Sequence, residues 1–188
     1  MDSPSRQTST PGFPGRIPIP VIVIFLMTLA LVGFGVARRD LAGDELHMLR
    51  GNPWEILVLA FHPDHPFTGH LPLSFWLREM VLFVLPDTWP VAWRLHSWVA
   101  AALTASAACW LTRASIGLHW SVVAGAVIAI HPLVLFHGQD ASNYALSALS
   151  GLGLLAALHG YEKGTGKVRR RWLMLALCLG AANDYWFA

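Results

Sequence analysis

The sequence predicts an all-α membrane protein, a polytopic bundle of transmembrane helices with interfacial helices in its first outer loop. Composition and patterning carry that prediction. Only 13% of the 188 residues are charged and 55% are hydrophobic, against about 25% charged in an ordinary soluble domain. The mean hydropathy is +0.50. The apolar residues gather in runs of about 20, the length a helix needs to cross a bilayer. Backbone groups in lipid must be satisfied within their own segment, so these runs read as helices. A formal net charge of +2 gives no reason to expect a nucleic-acid partner.

Residues 1–16 are rich in Ser, Thr, Pro and Gly and read as a disordered tail. Residues 17–37 form the first span. Arg16 ahead of it resembles the start of a signal peptide, but the run is longer than a usual h-region and Gly35-Val36-Ala37 is a weak cleavage site. An uncleaved anchor is expected. The outer segment 38–90 holds "ELHMLRGNPWEILVLAF" and "LPLSFWLREMVLFVL", apolar stretches interrupted by Glu55, Arg78 and Glu79. They read as interfacial helices, joined by the polar "HPDHPFTGH". Trp54, Trp76, Trp89 and Trp93 suit the headgroup zone.

The second span is expected over 91–112, the third over 120–136 and the fourth over 144–161. A fifth begins at Trp172 and is still apolar at Ala188. Residues 17–188 therefore read as one transmembrane domain, the N-terminal part of something longer. Pro132 is expected to kink the third span, with His131 facing the bundle. Gly151 and Gly153 are expected to allow close helix packing. Cys109 and Cys178 lie in apolar runs and read as small buried hydrophobes, not as a disulfide.

Orientation follows from the basic residues of short loops. The loop "EKGTGKVRRR" carries Lys163, Lys167, Arg169, Arg170 and Arg171, and should be cytoplasmic. Alternation then puts the N-terminus and Arg113 inside. Residues 38–90 and the stretch between the third and fourth spans lie outside. Arg38, Arg39 and Arg50 run against the rule, either as headgroup anchors or for a functional reason.

On that outer face two polar stretches can meet. "RRDLAGDELHMLRG" supplies Asp44, Glu45 and His47, and "FHGQDASNYAL" supplies Gln139, Asp140, Asn143 and Tyr144, with Arg94 opening the second span. A carboxylate beside cations at a lipid–water boundary suits a substrate with a phosphate head and an apolar tail. Each residue also has a plainer reading. Asp44-Glu45 fits the first turn of a helix, and Asn143 fits a helix cap.

In these residues the chain resembles the N-terminal part of the GT-C type membrane glycosyltransferases, the superfamily of protein O-mannosyltransferases and the lipid A aminoarabinose transferase. Their acidic pair after the first span is matched by Asp44-Glu45. Their His-Pro-Pro-Leu-like stretch is matched by "HLPLSFWLRE" from His70, with Leu71 in place of the first proline. Their Arg-Leu-Pro-Ser-like opening is matched by "WRLHSWVAA", with Arg94 and Ser97. Their Gln-Glu-Ala-Arg-x-Tyr-like turn is matched by "GQDASNYAL", with Ser142 where Arg is common.

The resemblance implies transfer of a sugar, with inversion, from a polyprenyl-phosphate donor to a hydroxyl on a lipid, glycan or protein acceptor, in the plasma (inner) membrane. It makes Asp44 the catalytic base and Glu45 its support. Arg38, Arg39 and Arg94 would hold the departing phosphate, and His70, Gln139, Asp140 and Tyr144 would contact substrate. Some members use a divalent ion. Here His62, His65 and His70 with Asp64 invite one, but prolines break the ligand spacing and no second cluster completes a site, so no resident metal is expected. The alternative function is a non-catalytic or lipid-binding membrane protein of the same fold. A transporter is disfavoured because His131 and Asp184 are the only obvious polar candidates at mid-depth.

Overall fold

The computed structural model describes residues 17–36, 73–85, 90–162 and 167–183. Among them the chain is helical and holds no strand. The helices are α1 (Ile19–Val36), α2 (Leu73–Val84), α3 (Pro90–Ala129), α4 (Pro132–Gly138), α5 (Tyr144–Glu162) and α6 (Lys167–Asn183). Two are long and apolar enough to cross a membrane, Ile19–Val36 and Val91–Ala129, with Tyr144–Leu158 a shorter apolar helix.

α3 is not one rod. Gly117 has φ 78° and ψ 166°, outside the helical region and open only to glycine at low cost. The chain turns there and the second arm, residues 118–129, returns along the first arm, residues 90–116. The Cys109 thiol lies 4.0 Å from the Ser121 hydroxyl. A Cβ placed on Gly125 would sit 2.7 Å from the Cβ of Cys109 and 3.2 Å from the Ala105 carbonyl. The first arm covers the expected second span, the second arm covers only the first part of the stretch expected as the third, and their turn falls in the expected loop.

The ladder breaks again at His131. The expectation that this histidine faces the bundle is overturned. His131 is exposed and extended, and its imidazole accepts a hydrogen bond from the Leu133 amide at 3.3 Å. Pro132, which has no N–H to leave orphaned, starts α4 at its first position. The helix therefore restarts rather than bends, and His131 serves as its cap.

α1 packs antiparallel to the first arm and parallel to the second. Val36 lies at Arg94, Leu29 at Trp98, and Ile24 at Gly125. Small residues permit the approach: Gly33 receives the face of Trp98, and Gly138 lies against Ala101 and Val32. The expected close-packing role of Gly153 is not met, because no described atom lies within 4 Å of where its Cβ would be. α5 runs along the first arm, α6 packs on α5, and α2 packs on α3. Cys109 is buried as expected, whereas Cys178 is exposed.

Beside an apolar core of Val21, Ile24, Val32, Val36, Phe75 and Cys109, the bundle buries polar residues and exposes large apolar ones. Thr28, Ser74, Arg78, Arg94, His96, Ser97, Asp140 and Asn143 are buried, while Phe34, Met80, Phe83, Trp120, Leu133 and Leu155 are exposed. The threonine hydroxyls donate within their own helices: Thr28 to the Ile24 carbonyl at 2.7 Å, Thr104 to Ala100 at 2.8 Å and Thr112 to Ala108 at 2.8 Å.

Gly125→Val is expected to lower bundle stability by about 1–3 kcal/mol, the usual cost of overpacking where one of the neighbours is backbone. Thermal unfolding in detergent, followed by helical circular dichroism, checks it. A variant as stable as the parent would mean that the arms do not meet at this glycine.

Candidate functional site

Antiparallel packing brings three chain ends together: the C-terminus of α1, the start of the first arm of α3, and the turn 139–143 between α4 and α5. The turn forms because α4 stops at Gly138. The Gln139 amide bonds back to the Phe136 carbonyl at 3.1 Å, and the Asn143 carbonyl starts α5 by accepting from the Ser147 amide at 2.9 Å. The Gln139 side chain packs directly over Gly35, where any side chain would collide with its amide.

Arg94 lies at the centre of this end and is fully buried. Its guanidinium donates to the Val36 carbonyl at 2.7 Å, one of the last carbonyls of α1, which lack a partner within the helix. One residue class thus answers two demands, because the C-terminal end of a helix dipole also favours a cation.

Two residues on, His96 and Ser97 grip the turn. Ser97 donates its hydroxyl to the Ser142 carbonyl at 2.7 Å, and His96 Nε2 lies 3.3 Å from the same oxygen. The carbonyl can only accept, so Nε2 carries the hydrogen. The Ser97 oxygen, 3.2 Å from Nε2, then presents a lone pair to it. These contacts hold the α4–α5 turn to the start of α3.

A second buried arginine comes from α2. Arg78 donates from Nε and from a terminal nitrogen to one carboxylate oxygen of Glu79, at 3.2 and 2.8 Å. Its guanidinium lies 5.2 Å from the centre of Phe75 and 5.5 Å from that of Trp93, within cation–π range. Its side chain is 3% exposed and that of Glu79 is 44% exposed. α2 covers the second stretch expected as an interfacial helix. On it Ser74 and Arg78, one helical turn apart, face inward, and Met80, Phe83 and Val84 face outward.

On the far side of the turn, His137 Nδ1 lies 3.6 Å from a carboxylate oxygen of Asp140. The His137 ring is 4.7 Å from that of Tyr144. His137, Tyr144, Thr104 and Leu133 line a half-open cavity of about 250 Å³ between the first arm of α3, α4 and α5.

Of the residues the sequence singled out, Arg94, Gln139, Asp140 and Tyr144 stand together at this end. Asp44, Glu45, Arg38, Arg39 and His70, with the histidines and Asp64 before it, lie outside the described residues. Among the described residues no cluster of three His, Cys, Asp or Glu side chains could hold a metal ion. No family model, no curated protein and no solved structure matches this chain.

Sequence reasoning passed over Arg78, His96 and His137. Arg78 counted only as an interruption of an apolar stretch. Its spacing of four from Ser74, opposite Met80 and Phe83, was the usable signal. His96 stands two residues from Arg94 and beside Ser97 in "WRLHS", a polar patch at the head of a long apolar helix. His137 lies in the quoted "FHGQDASNYAL", three residues ahead of Asp140, one turn of helix away.

Arg94→Ala would orphan the Val36 carbonyl in the interior. It should cost about 1–3 kcal/mol, the desolvation penalty of a buried unpaired group, with Arg94→Lys intermediate. Chemical denaturation in micelles measures both, and an unchanged midpoint for Arg94→Ala would show that the bond carries no stability.

Proposed function

We propose that this chain is part of a multi-pass membrane glycosyltransferase that uses a polyprenyl-phosphate sugar at the outer membrane face. One observation carries the reading. Arg94, Gln139, Asp140 and Tyr144 gather at the end where α1 finishes, and Asp44 follows Val36 by eight residues in the sequence.

The burial of polar residues and exposure of large apolar ones support placement in lipid, where an exposed Phe83 is at home and a buried Arg94 has its partners in the bundle. The starting end of α1, the Gly117 turn beside Arg113 and the finish of α5 gather at the opposite end. There Arg16 and the five basic residues of 163–171 adjoin them in sequence. That distribution favours a cytoplasmic N-terminus and an outer polar end.

The chemistry assigned is a single displacement. An acceptor hydroxyl oxygen attacks the anomeric carbon and its proton passes to Asp44. The bond from that carbon to the phosphate oxygen breaks, and the electron pair leaves with the polyprenyl phosphate. Arginine suits the growing phosphate charge because its planar fork matches two oxygens at once. Arg38 and Arg39 adjoin this end in sequence, and Arg94 supplies positive potential from within it. Glu45, next to the base, orients the acceptor. His70, Gln139, Asp140 and Tyr144 contact the sugar or acceptor.

A second reading, a lipid-binding protein of the same fold without chemistry, is favoured by one contact. Arg94 already serves the Val36 carbonyl.

Asp44→Asn should reduce sugar transfer from a polyprenyl-phosphate donor by about a hundredfold or more, the usual contribution of a general base, with membrane insertion unchanged. Equal transfer by both proteins removes Asp44 from the mechanism. Single cysteines at positions 44 and 144, in a chain lacking Cys109 and Cys178, should react with a membrane-impermeant thiol reagent from the same side. Reaction from opposite sides would end the proposal.

A further inference from the structure

The cavity beside His137 has its own chemistry. Ala101 and Thr104 of α3, Leu133 and His137 of α4, and Tyr144 and Ala148 of α5 line it. Its volume of about 250 Å³ is that of roughly eight waters at about 30 Å³ each. It holds a stretch of extended hydrocarbon and no folded element. Leu133 and Ala148 are themselves exposed, so the cavity opens sideways from the bundle, toward lipid on the reading above.

Among the described residues no lysine or arginine lines it. Arg94 and Arg78 belong to the other side of the turn, against Val36, Phe75 and Trp93. The described lining offers a phosphate head no cation. What the cavity offers is an imidazole with a buried carboxylate behind it. Asp140 faces Nδ1 of His137 at 3.6 Å, beyond hydrogen-bond length but near enough to favour the hydrogen on Nδ1. Nε2, on the other edge of the ring, is then the acceptor of the neutral imidazole. The ring is 27% exposed where it meets the cavity.

We propose that this cavity binds a neutral long-chain alcohol, with its chain along Ala101, Leu133 and Ala148 and its hydroxyl donating to His137. The ligand's class follows from the described lining: an apolar chain because most of the walls are apolar, a hydroxyl because the imidazole backed by an acid can accept its hydrogen beside the hydroxyl-bearing Thr104 and Tyr144, and no phosphate because no described cation lines it. Asp140 acts as the positioning residue that sets the imidazole tautomer. The proposal rests on the membrane-embedded reading but not on sugar transfer, so it stands or falls separately from the assigned chemistry.

The test uses the full chain in phosphatidylcholine nanodiscs. Three photoreactive probes share one mid-chain diazirine and differ at the head: a primary alcohol, its methyl ether, and its phosphate monoester. Labelled peptides are mapped by mass spectrometry. The alcohol should label the segments around Leu133 and Ala148, with unlabelled alcohol competing, and should exceed both other probes by about tenfold, the factor given by one hydrogen bond of ordinary net strength. Ala148→Phe, an exposed position whose new ring fills the cavity, should abolish that labelling. His137→Phe should bring the alcohol down to the level of the ether, and Asp140→Asn should weaken the alcohol alone. Helical circular dichroism controls for folding. Equal labelling by all three probes, preference for the phosphate, or labelling indifferent to Ala148→Phe would overturn the proposal. Loss of sugar transfer with these results intact would leave it standing.

Discussion

The polar end of the bundle depends on the bond from the Arg94 guanidinium to the Val36 carbonyl, 2.7 Å long and wholly buried. A helix that ends among apolar neighbours leaves carbonyls with nowhere to turn. Water would satisfy them at a protein surface, but this end is closed to it. Arginine reaches that carbonyl from a neighbouring helix and carries the charge that the helix end favours. The finish of α1, the head of α3 and the α4–α5 turn are brought to one place as a result. His96 and Ser97 extend the same logic, spending their hydrogens on the Ser142 carbonyl.

Many interior polar groups find partners in their own helix or the next one, although the Ser74 and Ser142 hydroxyls are buried without a hydrogen-bond partner among the described residues. Threonines bond back along their helices, Trp98 donates its indole hydrogen to the Leu29 carbonyl at 2.7 Å, and Arg78 turns inward to aromatic faces and Glu79. In exchange the outside is left apolar. On the membrane reading proposed above, helix contact depends on shape more than on hydrophobic gain, since lipid is as apolar as leucine. Gly33, Gly125 and Gly138, each with a neighbour pressed into the space a side chain would need, are the means.

Much of this was legible in the sequence. The all-helical class followed from long apolar runs, and the starts of α1 and α5 and the turn between the arms of α3 fell where composition put them. Arg94, Gln139, Asp140 and Tyr144 were read onto one face from alternation alone, and antiparallel packing brings them to one end of the bundle. What failed did so for local reasons. His131 could not be told from a buried histidine because its capping role depends on the backbone break that Pro132 imposes. Arg78 was passed over as an interruption of an apolar stretch because composition does not say which face of a helix turns inward. Gly153 looked like a contact glycine, but glycine spacing does not say which face of a helix has a neighbour.

The hairpin in α3 carries an implication for how such a chain enters a bilayer. As a straight rod, residues 90–129 would measure about 60 Å at 1.5 Å per residue, twice the hydrocarbon thickness. With a single glycine at the bend and no long connector, the two arms have little slack to be threaded independently. Cys109 already faces Ser121, and Ala105 faces Gly125, across the fold. On the membrane reading proposed above, the paired arms would enter as one unit. The Ser121 hydroxyl is already bonded, at 2.8 Å, to the Leu118 carbonyl of its own arm, so its hydrogen would need no water on the way in.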